Sequence, residues 1–377
     1  MLTRAEAQAL LHAHKQALNR KDVTALARFY TDDAVVMSPM FQTVRGADGI
    51  LSTFKRLFAL WPDYKIRVND GLFIAEENRA AEFGTVEATH DAELFGLAPT
   101  GERIEYEFVR LYTFRGDRIA EERRIYDLAG VLERLSRVQI ERDLNVAATI
   151  QRLLLPRTEH EGSHFEAIGA SIPSRTIGGD FFEYVDLPSG ASGVALGDAS
   201  GKGASAALVA AMVQGIFSIE AEVERSPSVT LARVNRALRR RGMEPHFVTL
   251  IYGVLTPFGR FRYTNAGQNP PILLSGGRLQ PLVAGGPMLG LFDEPEFPEE
   301  TVTMEPGDRI VLYSDGVTEA LNERGDEYGD AGLLESIARH QGISTRALLD
   351  AVLDDIRTFC GQAAQRDDIT VVVMERR

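Results

Sequence analysis

The chain has 377 residues, 44% hydrophobic and 25% charged, the profile of an ordinary soluble globular protein with material for two cores. Its formal net charge of −13 argues against nucleic acid or an anionic membrane as the main partner, because steering toward phosphate backbones needs the opposite sign. The single cysteine, Cys360, excludes an internal disulfide and fits a reducing cytoplasm.

The first residues, Met1 to Glu6, lack the uninterrupted apolar core of a signal peptide. Ala7, Leu10, Leu11, His14 and Leu18 recur at helical spacing, and the spacing predicts a helix over 4–19 with a shorter one over 22–29. A strand follows through Val35 and Met37, then a helix from Ala47 to Phe58 that stops before Pro62. Beyond it the pattern alternates. Residues 64–68, 79–89, 104–114 and 118–126 read as antiparallel strands, with turns at Gly71, Gly101 and Gly116-Asp117.

Helices followed by long strands predict a curved sheet folded over helices. The stretches Phe29-Tyr30-Thr31-Asp32-Asp33-Ala34-Val35, Pro99 to Ile104 and Phe114 to Ile119, ending in Arg124-Ile125-Tyr126-Asp127, resemble the SnoaL-like, nuclear-transport-factor-like cone fold over residues 1–130. The resemblance implies a cone-shaped α+β barrel with a pocket at its mouth. Such domains serve as isomerases, ligand sensors or dimerisation modules, so fold alone does not assign a role. His90, Asp127 and Tyr30 are candidates for an acid/base set in that pocket, against the plainer reading that they satisfy separate polar positions.

Leu128, Val131, Leu132, Leu135 and Val138 form one helical stripe; Ile140, Leu144, Ala147, Ile150 and Leu154 form a second, offset from it. A continuous helix over 128–155 is about 40 Å long at 1.5 Å per residue, and residues 131–156 are expected to act as a connector coupling two domains. After Pro156, short strands at 165–170, 181–187, 193–197, 249–255, 260–265, 272–275, 310–313 and 370–374 interleave with helices at 205–221, 228–240, 331–339 and 345–359. That order suits two antiparallel sheets packed face to face with helices outside, an αββα sandwich over 157–377. The most apolar helix, around Ala206 to Phe217, is short of the roughly 20 residues that span a bilayer. Arg233, Arg236, Arg239, Arg240 and Arg241 crowd one helix C-terminus, which reads as a solvated end answering the helix dipole, or else as a docking patch for a phosphoprotein.

Four acids stand at strand ends: Asp180 after Gly178-Gly179, Asp198 in Gly197-Asp198-Ala199-Ser200-Gly201-Lys202-Gly203, Asp315 after Tyr313-Ser314, and Asp367-Asp368 before the last strand. If they converge, they make a metal site. The Gly201-Lys202 pair is not a phosphate-binding P-loop, because three residues rather than four separate Gly197 from Gly201, and Gly203 stands where a hydroxyl is needed. Carboxylates and carbonyls without clustered Cys or His select hard ions, Mg(II) or Mn(II), over Zn(II).

The ordered motifs resemble the SpoIIE/RsbU-type branch of the metal-dependent PPM (protein phosphatase 2C) serine/threonine phosphatases. They run through Ile140 to Leu144, Ile150 to Pro156, Ile177 to Phe182, Gly197 to Gly203, Tyr263-Thr264-Asn265-Ala266-Gly267, Gly286 to Gly290, Gly307 to Ala320, and Gln365-Arg366-Asp367-Asp368-Ile369-Thr370. The resemblance implies two metal ions, with Asp198 bridging them and the Ala199 carbonyl helping to hold one. Asp315 and Asp367, with Asp368 the alternative to Asp367, would complete the other. Asp180 would be a ligand or an acceptor for a water on the metal. It further implies hydrolysis of phosphoserine or phosphothreonine on an anti-anti-sigma-type partner under control of the first domain, and a homodimer. Gln268, where His is usual, and Glu183, where Asp is frequent, depart from the pattern. Competing readings are a regulatory binding protein on a silent phosphatase fold, and a separate small-molecule enzyme in the cone.

Overall fold

The computed structural model describes residues 2–69, 72–223, 225–242 and 246–377, so the turn expected at Gly71 lies outside the described residues. The chain divides into two units, Met1–Asp143 and Leu144–Arg377.

The first unit contains α1 (Arg4–Arg20), α2 (Val23–Ala27), β1 (Tyr30–Ser38), β2 (Gln42–Arg45), α3 (Ala47–Leu60), β3 (Lys65–Val68), β4 (Ile74–Glu76), β5 (Arg79–Thr89), β6 (Arg103–Arg115) and β7 (Arg118–Ile125). Thr3 and Glu6 start α1 with a reciprocal capping box, each side chain answering the other residue's backbone N–H. The face Ala7, Leu11, His14, Leu18 is buried, as the spacing predicts. The sheet runs β2-β1-β7-β6-β5-β3, with β4 on β5. The expected strands are present and their hairpins are antiparallel, but β1 and β7 pair in parallel. Local alternation carries no information about that pairing, which joins segments some ninety residues apart. Along β6 every second residue from Ile104 to Phe114 turns inward onto a core that includes Phe54, Trp61 and Tyr112. The mixed α+β architecture, helices with one seven-stranded sheet, matches the fold class expected from the sequence.

α4 runs unbroken from Leu128 to Leu154, and the division between units falls within it. Its first stripe is covered: Val131 and Leu135 belong to the core of the first unit, with Leu128 and Leu132 packed against it. The second is not: Ile140, Ile150 and Leu154 are 56%, 55% and 46% exposed.

The second unit follows with β8 (Glu159–Glu161), β9 (Phe165–Ile172), β10 (Asp180–Asp186), β11 (Ser192–Ala199), α5 (Ala204–Ala221), α6 (Pro227–Arg240), β12 (Val248–Leu255), β13 (Arg260–Ala266), β14 (Ile272–Ser275), β15 (Arg278–Pro281), β16 (Glu300–Thr303), β17 (Arg309–Tyr313), α7 (Asp315–Thr318), α8 (Gly329–His340), α9 (Thr345–Cys360) and β18 (Ile369–Arg376). Two sheets form, β10-β11-β12-β13-β16 and β15-β14-β17-β18-β9-β8. Leu196, Ile251, Leu312 and Val372 meet between them; α5 and α6 cover the outer face of the first, α8 and α9 that of the second. This is the αββα sandwich expected from the element order.

α5 corrects one expectation. At 18 residues it is by length and composition apolar enough to cross a membrane, longer than the stretch read from Ala206 to Phe217. Its Ala206, Val209, Ala210, Val213 and Phe217 are buried on the sheet, the disposition of a core helix.

Candidate metal centre

The acids come together because four separate chain reversals fall at one end of the sandwich. β10 and β11 are antiparallel neighbours in a register that sets Asp180 opposite Asp198. Asp198 is the penultimate residue of β11, and the chain then turns sharply through Gly201 and Gly203, both at positive φ (103° and 71°). Two further glycines permit the close approach. A Cβ on Gly179 would lie 2.7 Å from the Ala199 carbonyl oxygen and 3.0 Å from Asp198 Oδ1, and one on Gly316 would collide with the Asp368 backbone. Asp315 opens the short α7, and Asp367-Asp368 precede β18.

Electrostatics ties these residues into one cluster. Burial, then the like charges of Asp315, Asp367 and Asp368, push the Asp198 carboxyl up to about 7. Asp180 is 4% exposed; burial, then Asp198, raises it well above the usual carboxylate range, and its Oδ2 has no hydrogen-bond partner among the described residues. Burial and the neighbouring Asp367 raise Asp315 as well. Buried like-charged carboxylates with an orphaned oxygen are strongly biased toward a cation. Oxygen-only donors fit a hard divalent ion.

Asp367 and Asp368 differ in surroundings. Asp368 is 6% exposed and its carboxylate is taken up by the protein, accepting from Ser174 N at 2.7 Å, Ser174 Oγ at 3.0 Å and Gly179 N at 2.6 Å. It fastens the 174–179 segment beside Asp180. Asp367 meets Lys202 Nζ at 2.7 Å. Among the described residues, no three His, Cys, Asp or Glu side chains already close around one point as a formed metal site does.

With a P-loop excluded, Lys202 carries no role legible in the sequence. It ties the Gly-rich turn to the last loop, donating also to the Arg366 carbonyl at 2.8 Å. Arg175, whose Nη1 stands 3.8 Å from where a Gly203 Cβ would sit, is a second cation at the rim; nothing in the motif spacing marked it. Gln151 on α4 stands in the stretch Ile150 to Pro156 with no role of its own legible in the sequence. Its side chain grips Gly178 twice, Nε2 donating to the carbonyl at 2.7 Å and Oε1 accepting from the amide at 3.2 Å. Of the two departures, Glu183 accepts from Gln214 and Ser218 of α5 at 3.0 and 3.3 Å, and Gln268 is 8% exposed with its amide nitrogen unpartnered among the described residues.

In the first unit, Tyr30, His90 and Asp127 form no common site. His90 pairs with Thr100 at 3.0 Å, Asp127 caps α4 by accepting from Gly130 N at 2.9 Å, and Tyr30 donates to Glu122 at 2.6 Å. The polar centre of that unit is instead His14, Tyr30, Glu82, Arg110, Tyr112, Glu122 and Arg124, all buried. In β6 the signal was legible: Arg110 sits in the inward register between Phe108 and Tyr112.

A family profile described as stage II sporulation protein E (SpoIIE) matches residues 188–377, and one described as SnoaL-like polyketide cyclase matches residues 8–135. The phosphoserine phosphatase RsbU of Bacillus subtilis is 28% identical over 244 residues, 63% of this chain and 71% of that protein. The phosphoserine phosphatase RsbP of the same organism is 27% identical over 150 residues, but the match spans only 37% of its length. The SiaA-PP2C domain of Pseudomonas aeruginosa superposes with a TM-score of 0.57 at 21% identity, covering 64% of this chain and 98% of that one, a likeness of fold.

Proposed function

The chain belongs to the SpoIIE family, and from that premise we propose that it is a protein serine/threonine phosphatase that removes phosphate from phosphoserine or phosphothreonine with two Mg(II) or Mn(II) ions. The observation that carries this is the register that sets buried Asp180 opposite Asp198 at the strand ends, where burial and like charge raise the carboxyls of Asp180, Asp198 and Asp315 together. Asp198, Asp315, Asp367 and the Ala199 carbonyl would hold the ions, with Asp180 supporting. Bound there, such ions supply an activated water and positive charge for the phosphoryl oxygens.

The chain's own residues set up that chemistry. Asp368 clamps the segment carrying Gly179, so that Asp180 stays opposite Asp198. Lys202 holds Asp367, and with Arg175 it brings cationic donors to the rim, where a phosphate monoester needs them. No protein nucleophile is required: burial raises the Cys360 thiol and keeps it unreactive.

Residues 1–130 are read as a sensory or dimerising domain, 131–156 as the connector and 157–377 as the catalytic domain. Two observations support control through the connector. Gln151 grips Gly178, two residues from Asp180, so movement of α4 reaches the acids directly. Ile140, Val146, Ile150 and Leu153 leave an apolar stripe exposed, which a second copy of the helix would cover in a homodimer. The substrate proposed is a phosphorylated anti-anti-sigma-type protein in the cytoplasm, in line with relatives named phosphoserine phosphatases.

Phosphate release from a phosphoserine protein that requires Mn(II) and disappears in Asp198→Asn supports this reading. Release that persists in the variant, or that is indifferent to divalent metal, contradicts it.

A further inference from the structure

The first unit holds a charged centre that phosphatase chemistry leaves unused. Arg110 is 3% exposed and poorly matched. Its Nη2 donates to Tyr64 Oη at 3.0 Å, its Nε stands 3.7 Å from Glu122 Oε1, and its Nη1 has no partner among the described residues. Glu122 is already engaged, accepting from Arg124 Nε at 2.7 Å, from Arg124 Nη2 at 3.1 Å and from Tyr30 at 2.6 Å. Glu82 is turned elsewhere: it accepts from Tyr112 at 3.1 Å, and burial, against the pull of Arg110, raises its carboxyl above the usual range.

Two buried guanidinium groups thus share the Glu122 carboxylate, and the Arg110 Nη1 is left over. Aromatic rings steady them: the Arg110 guanidinium carbon lies 4.8 Å from the Phe108 ring centre, and that of Arg124 5.0 Å from Phe54. A ring face attracts a cation but does not neutralise it. A buried guanidinium donor without a partner is costly, and here the group borders open space. Arg110 and Arg124 line a cavity of about 20 Å³ with Tyr64, Tyr106, Phe108 and Tyr126, room for a water-sized group.

We propose that this cavity is an anion site, taking the head group of a small monocarboxylate between Arg110 and Arg124. The planar guanidinium matches a carboxylate in shape and donor spacing. Glu122 beside both guanidiniums disfavours a dianion, which would bring a second negative charge toward it. The small free volume restricts the site to the smallest acids.

The test is binding to the full chain at pH 7.5 and constant ionic strength, using sodium formate and sodium acetate with chloride, succinate and phosphate as comparators. The melting transition of the first unit and the line width of ¹³C-formate are followed together. Formate or acetate should raise the melting temperature saturably by about 2–5 °C, beyond any of the comparators. Arg110→Lys should weaken binding at least about tenfold, since an ammonium does not reproduce the fork, and Arg110→Met should abolish it. Should Arg110→Met fail to fold, Tyr64→Phe takes its place, freeing a further guanidinium donor and leaving formate binding intact or tighter. The proposal is overturned if no anion gives a saturable shift, if Arg110→Lys responds like the parent chain, or if chloride, succinate or phosphate does as well as formate. Neither readout involves turnover, so the outcome is independent of the phosphatase reading.

Discussion

Each unit buries a cluster of charges, and the two are balanced in opposite ways. In the second unit Asp180 stands opposite Asp198, Asp198, Asp315 and Asp367 repel one another, and Lys202 contacts Asp367. Burial and like charge act in the same direction, and Asp198 is carried up to about 7. In the first unit Glu122 is more deeply buried, at 0% exposure, yet it is held well below the usual range, because Arg124 and Arg110 outweigh the desolvation. Burial alone therefore does not set the charge state; the sign of the neighbours does. The first cluster ties a core together, whereas the second is an arrangement the fold tolerates at a cost, as hydrolytic metal centres do.

The sharpest way to break the comparison is to remove a central carboxylate from each side. Asp198→Asn is expected to lower metal-dependent phosphate release by at least about a thousandfold, while the melting temperature of the metal-free protein holds or rises because a source of repulsion is gone. A clear fall in metal-free stability would mean that Asp198 is structural. Glu122→Gln should do the reverse, leaving two buried guanidinium groups uncompensated and destabilising the first unit by about 3–5 kcal/mol in urea unfolding. A loss below about 1 kcal/mol would show that the cluster is not paired as described.

Acid sharpens the contrast further. Burial, against the pull of Glu122, lowers His14 to about 3, so the folded state holds it neutral while the unfolded chain binds a proton below about 6.5. Stability of the first unit is therefore full above that pH and declines as pH falls from about 6.5 toward 3, by at most about 1.4 kcal/mol per unit. Glu122 adds to the loss below its ordinary range. Melting scans from pH 7.5 to 4 should show this slope, and His14→Gln should flatten it above pH 4.5; an unchanged slope in that variant would assign the titration elsewhere. The smallest expected effect is at Lys202, whose contact with Asp367 is partly solvent-exposed. Lys202→Gln should tighten Mn(II) binding by no more than about fivefold, the scale of an exposed ion pair, and weaker binding in a calorimetric titration would show that Lys202 assists rather than competes.

The periodicity of the chain revealed most of its helices and strands, because amphipathic stripes such as Ala7-Leu11-Leu18 and inward alternation such as Ile104 to Phe114 are local signals. The layered α+β order could be read the same way. The parallel partnership of β1 with β7 could not, since it depends on contacts remote in sequence. Strand-end acids in Gly-Asp and Asp-Gly contexts were visible as motifs, but what distinguishes Asp367 from Asp368 is the turning of Asp368 toward Ser174 and Gly179, a tertiary fact. The arginine-rich centre of the first unit went unread because charged residues in strands are ordinarily assigned to solvent, although the register of Arg110 pointed inward.

The measurement closest to the central claim is Mn(II) occupancy followed together with phosphate release from a phosphoserine protein, on the full chain and on Asp198→Asn. The account predicts two ions per chain in the parent protein, turnover that rises with their binding, and loss of both in the variant. Turnover at full rate without bound Mn(II) or Mg(II), or undiminished release from Asp198→Asn, would contradict it.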